Sequence, residues 1–259
     1  MDAPTLAAVM GNVIPLSTYT RYVEAFNNAM VAAGCTNVAR AAMWCAQLGH
    51  ESVGLKYMEE IASGAAYEGR RDLGNTQPGD GKRFKGRGPI QLTGRANYGA
   101  FGRWAHAQGL VASDDYFQRN PLLLADPHWG LLAASWYWTV ARTQLNAQSD
   151  RGDILAATKS INGGTNGLAD RTARWNRART FGTRLLPTAP PQEDTLSAQF
   201  ETDARAWRKQ DDQLEKDLRG DLHLKQLEID GIRDDVKAMS AKVDKLITAL
   251  TNAQAGKQP

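Results

Sequence analysis

Two glutamates, Glu51 and Glu60, lie nine residues apart where an apolar stretch gives way to a polar one (AAMWCAQLGHESVGLKYMEE). Two carboxylates can break a glycosidic bond when one protonates the leaving oxygen and the other activates a water. Their environments must differ, one partly buried and protonated, the other ionised. Glu51, closing the apolar stretch, is the acid candidate, and Glu60, entering the polar one, is the base candidate. On one straight helix, nine residues would point them in opposite directions, about 13 Å apart. Gly54 offers a break, so that Glu60 can return across a cleft at the about 6.5–9.5 Å an inverting enzyme needs. Glu59 and Glu68 stay open as alternative bases. His50-Glu51 also begins the zinc pattern H-E-x-x-H, but position 54 is glycine. His106, His128 and His223 show no ligand spacing and neither cysteine is near one, so no metal and no cofactor is expected.

The elements that must hold these residues read as helices. Val23, Phe26, Ala29 and Met30 share one face at helical spacing, and Asn37 is an N-cap for an Ala-rich helix over 38–48. Residues 62–95 are dense in Gly, Asp, Asn and Pro, a long loop of the kind that carries function. Helical patterns resume over 96–108, 127–140, 154–161 and 168–181, and no extended period-two alternation occurs. The fold class is mainly α, with the long loop at the active site. Beyond Pro187-Thr-Ala-Pro-Pro191, Leu222, Ile229, Val236, Val243 and Leu250 repeat every seven residues, with Ile232, Met239 and Leu246 between them. That seam predicts a coiled coil, and with it a homo-oligomer; one amphipathic helix packed on its own domain is the other reading. The expected organisation is a catalytic domain over 1–186, a Pro-rich linker over 187–195, a helical coiled-coil segment over 196–252 and a disordered tail over 253–259.

Charge follows this division. Residues 1–195 hold 20 Lys and Arg against 16 Asp and Glu, while 196–259 hold 11 against 12. No apolar run approaches the ~18–20 residues of a membrane span. Cys35 and Cys45 are too few for a disulfide framework and, on a helix, too far apart to pair, so two buried free thiols are expected. Met1–Thr20 lacks a basic leader and its apolar stretches are broken by Gly11, Asn12 and Pro15, so no signal peptide is expected.

HESVGLKYMEE, then GKRFKGRGPIQLTGRANYGAFG, then INGGTNGLADR, in that order over roughly residues 35–185, resembles glycoside hydrolase family 19. This is the family of plant-type chitinases and of many phage endolysins. The first motif with AAYEGRRDLGNTQPGDG looks most like lysins of phages infecting mycobacteria and related actinobacteria. The resemblance implies a lysozyme-like fold and an inverting mechanism with Glu51 as general acid and Glu60 as general base. It implies that Thr93 holds the attacking water, that Gln91, Asn97 and Asn162 line the sugar cleft, and that Arg171 supports the carboxylates. His50 is counted with the substrate-binding residues. Several of these admit structural readings. Thr93 is also a possible N-cap, Arg171 an ion pair of the fold, and Gly86, Gly88, Gly163 and Gly164 turn formers. The plant cysteines are absent, and Thr165 and Asn166 stand where plant members carry an acidic residue.

The resemblance implies hydrolysis of β-1,4 links in a glycan of N-acetyl sugars. The first expectation is a phage endolysin, a muramidase-type enzyme on peptidoglycan, kept in the host cytoplasm until a holin releases it. The basic run Lys82, Arg83, Lys85 and Arg87 suits an anionic wall; a solvated loop explains it equally, and no nucleic-acid motif accompanies it. The alternatives are a chitinase and an inactive wall-binding or structural virion protein.

Overall fold

Helix starts are written locally in this chain. Asp2 accepts from Thr5 N at 2.8 Å to open α1 (Ala3–Met10), which ends at Gly11. α2 (Leu16–Ala32) follows Pro15. Asn37 caps α3 (Val38–Glu51) through Arg40 N, Asp126 caps α7 (Pro127–Trp136) and Asp153 caps α9 (Ile154–Asn162). Each side-chain oxygen satisfies an amide that the helix itself leaves unpaired. α4 (Asp80–Arg83) and α6 (Tyr116–Arg119) are single turns. α5 (Arg95–Ala107), α8 (Leu145–Asp150) and α10 (Leu168–Arg179) complete the set.

The computed structural model describes residues 1–188. Most of the proposed linker, the heptad segment and the tail lie outside the described residues. Among those described, ten α-helical segments form and no strand does, so the molecule is mainly α. The longer helices follow the sequence pattern with one exception, while the short α4, α6 and α8 lie outside it. The stretch 127–140 is not one α-helix; it passes at Tyr137–Ala141 into a π-helical turn. Within it the Thr139 hydroxyl donates to the Ser135 carbonyl at 2.8 Å, a competing bond of the sort that distorts a helix.

α3 is the central helix. Every residue from Ala41 to Gly49 is buried, the signature of an element packed on all sides. Trp44 lies in the middle, edge-on to Trp138 at 5.2 Å and to Phe26 at 6.3 Å between ring centroids. α3 packs chiefly on α10, and α2 on α7. Cys35 and Cys45 are free and buried; burial pushes the Cys45 thiol up to about 12. No helix among the described residues is long and apolar enough to cross a membrane.

Candidate active site

Glu51 is the last residue of α3. The chain then turns sharply: Gly54 N bonds Gly49 O at 2.7 Å and Tyr57 N bonds Ser52 O at 3.0 Å. Val53, Gly54 and Leu55 all take positive φ, 51°, 69° and 68°. A β-branched residue there is strained, and surrounding contacts hold the turn. Ser52 Oγ accepts from Leu55 N, and Tyr19 Oη donates to Gly54 O at 2.9 Å. Gly54 is also the one residue type with room, since a Cβ would stand 2.6 Å from Met10 O. The helix therefore ends at Glu51 as Gly54 suggests, and the two glutamates leave a common helical axis.

The carboxylate of Glu51 meets Arg171, which is almost fully buried on α10. Arg171 donates through Nη2 to Glu51 Oε1 and through Nη1 to Gln47 Oε1, one turn earlier on α3. Its Nε points to Asn166 O at 3.4 Å. So a backbone carbonyl of the INGGTN turn and the buried Gln47 amide complete the surroundings of Arg171 beside Glu51. Tyr137, on the π-helical turn, donates to Ile161 O at 3.1 Å. Burial pushes its phenol up; Arg142 opposes this and the Glu51 charge adds to it.

Glu60 belongs to a second cluster. Its N–H donates to Gly86 O at 2.9 Å. In return Gly86 N donates to Glu60 Oε2 at 3.1 Å. The Tyr67 hydroxyl donates to Glu60 Oε1 at 3.0 Å, and burial and Glu60 push that phenol up, so it serves as a donor. Gly86 is needed for close approach rather than for a turn. A Cβ there would lie 2.7 Å from Gln91 Oε1 and 3.3 Å from Thr93 Oγ1, whereas Gly88 and Gly163 are left-handed turn residues. Glu60, Gln91 and Thr93 thus surround one glycine. Thr93 Oγ1 donates to Gln91 O at 2.8 Å. Thr93 is not the N-cap of α5: Gly94 holds that position, without a side-chain cap. Asn97 donates to Thr93 O at 2.7 Å and so braces the same turn.

The competing carboxylates are engaged elsewhere. Glu59 pairs with the buried Arg87, at 2.9 Å, and with Lys85 at 3.4 Å. Glu68 accepts from Gly79 N and Gly81 N at 2.6 and 2.8 Å, stapling the long loop. The basic run is therefore divided. Arg87 is an interior residue bonded to Glu59, Arg83 O and Tyr98 Oη, and the half-buried Lys85 donates to Glu60 O; Lys82 and Arg83 are exposed. Asn162 spends its amide on its own turn, donating to Asn166 O and accepting from Gly164 N. His50 Nδ1 meets Asp170 Oδ2 at 2.7 Å, and its ring lies against Gly167.

Gln47 and Tyr67 were not singled out from the sequence. Gln47 carried a signal, a polar residue four before Glu51 in an otherwise apolar run, hence on the same helical face. Tyr67 carried none, being one aromatic in a polar loop. Among the described residues no group of three His, Cys, Asp or Glu is placed to hold a metal ion.

Comparison with known proteins gives the family. Residues 18–164 match the glycoside hydrolase family 19 pattern, described as chitinase class I. A glycosyl hydrolase family 19 domain-containing protein of Haemophilus influenzae is 29% identical over 171 residues, 54% of this chain and 78% of its own length. An endochitinase of Arabidopsis thaliana is 32% identical over 148 residues, covering 56% of this chain; the chain spans only 48% of that relative. Among solved structures, chitinase C from Streptomyces griseus superposes with a TM-score of 0.52 at 25% identity, over 74% of this chain and 78% of that one. With more than half of the sequence inside the family's pattern and a mainly helical fold shared with its solved members, the chain belongs to glycoside hydrolase family 19.

Proposed function

We propose that the chain hydrolyses β-1,4-glycosidic bonds of the peptidoglycan glycan strand, as a muramidase-type phage endolysin, by an inverting acid/base mechanism. The observation that carries the chemistry is the cluster around Gly86. Glu60 Oε2 and Thr93 Oγ1 both border this residue. The Thr93 proton is committed to Gln91 O, so its oxygen is left as an acceptor. A water at that place can give one hydrogen to Glu60 and the other to Thr93, which aims a lone pair at the anomeric carbon. Tyr67 and Gly86 N fix the receiving carboxylate. Glu51 protonates the leaving oxygen; Arg171 holds its Oε1 and leaves Oε2 for the sugar. Gln91, Asn97 and the Asn162 turn border the path of the glycan.

Peptidoglycan is favoured by the phage-lysin form of the first motif and by two buried free thiols in place of disulfide staples. In this reading the protein waits in the host cytoplasm, a holin releases it to the wall, and the heptad segment joins copies of the chain. A chitinase acting on GlcNAc polymers is the second reading, favoured by the chitinase names of the relatives. Reducing-end release from purified mycobacterial-type wall and from colloidal chitin separates them. The endolysin reading expects release from wall, with mass spectrometry of the products showing reducing-end muramic acid. Release confined to chitin overturns it, and wall binding with no turnover on either polymer would establish a non-catalytic wall protein.

A further inference from the structure

We propose that His50 is a positioning residue for Glu51, acting through a latch of His50, Asp170 and Arg174 across α3 and α10, and that it is not a sugar ligand. The proposal rests on Glu51 being the proton donor.

Two consecutive residues of α3 meet two consecutive residues of α10. Glu51 pairs with Arg171, and His50 Nδ1 pairs with Asp170 Oδ2 at 2.7 Å. The order of charge is matched, the carboxylate of α3 against a guanidinium and the carboxylate of α10 against an imidazole. Asp170 also takes Arg174 Nε at 2.7 Å, and Arg174 Nη1 reaches Met10 O at 3.4 Å. The latch therefore links α3, α10 and the end of α1. Asp170 is held below the usual carboxylate range: burial opposes this, and the Arg174 and His50 bonds outweigh it. Gly167 lies close to the Cε1 and Nε2 atoms of His50, since a Cβ there would stand 2.2 Å from each. The Nδ1 bond to Asp170 and the close backbone of Gly167 restrict how the imidazole can turn.

Such a brace is needed at this point in the chain. Glu51 is the final residue of α3, so no further helical turn follows to hold its side chain, although the backbone bonds back to the Leu48, Gly49 and His50 carbonyls. Past it lies the strained run Val53–Leu55. A small displacement of a reacting group costs rate far more than binding.

The test uses the full chain and the polymer that the native protein cuts. His50→Ala is expected to lower kcat about tenfold or more and leave KM within about twofold. His50→Asn, which keeps a donor near the position of Nδ1, is expected to restore most of kcat, and Asp170→Asn to reproduce the loss. On melting temperature, adding Asp170→Asn to His50→Ala is expected to cost less than half its effect in the native background; this readout holds even without turnover. A rise in KM with kcat unchanged, or additive melting effects, overturns the latch. Full activity of Glu51→Gln would instead overturn the assignment of Glu51, a result separable from these.

Discussion

At the residue scale the proposed chemistry divides between two carboxylates that the fold treats differently. Glu51 is met by one buried guanidinium, while Glu60 receives a phenol and a backbone amide. Removing the ionisable carboxylate of Glu51 or Glu60 should cost the ~10²–10⁴-fold that a general acid or base contributes. Glu51→Gln and Glu60→Gln are expected to do so with melting temperatures close to native. Glu59→Gln should act mainly on stability, because it weakens the anionic partner of the buried Arg87, and to keep kcat within about tenfold. Glu68→Gln should loosen the loop and leave chemistry running. Loss of turnover in the Glu59 or Glu68 variant with near-native rate in Glu60→Gln would move the base. Tyr67→Phe removes one hydrogen bond to a charged group, about 1.5–3 kcal/mol, and so is expected to lower kcat about tenfold to a hundredfold in steady-state assays.

At the element scale, helices were legible because their determinants are local. Asn37, Asp126 and Asp153 mark starts within four residues of the amides they cap. The pairing that sets Glu60 was not legible. It consists of isolated bridges, Glu59 with Arg87 and Arg87 with Leu92, too short to leave an alternating pattern. The inward turn of Lys85 and Arg87 was hidden for the same reason, since four clustered basic residues look alike until their partners are known. Asn37 shows how a local cap acquires a distant role. Its amide and Arg40 both reach Asp150 at the end of α8. The bonds from Arg40 and Asn37 draw the Asp150 carboxyl down from 3.8 to about 2. A carboxylate with a depressed folded value stabilises the fold above its unfolded value and loses that contribution as pH falls through the folded one. Asp150→Asn is therefore expected to lower the melting temperature at pH 7. The gap to native should shrink between pH ~4 and ~2. A gap unchanged at pH 2 would show that the ion pair is not its source.

At the scale of the whole molecule, the nearly neutral net charge of +3 averages two unlike parts. The helical catalytic part carries the excess of positive charge. The heptad segment, outside the described residues, is known from its spacing alone, with Leu222, Ile229, Val236, Val243 and Leu250 on one stripe. β-branched residues at several of these positions favour a parallel dimer. A dimer matters for a polymeric substrate in a way it does not for a soluble one. Two linked catalytic parts rebind neighbouring strands at high effective concentration, raising avidity by about 10²–10⁴-fold with no new contact at the active site. Ending the chain at Leu186 is therefore expected to convert a sedimenting dimer to a monomer. Activity on insoluble wall at low enzyme concentration should fall by about a hundredfold, while turnover of short soluble fragments stays within twofold. Monomers in both cases would refute the coiled coil. Dimers that cut wall no better than the shortened chain would keep the oligomer and remove avidity as its purpose.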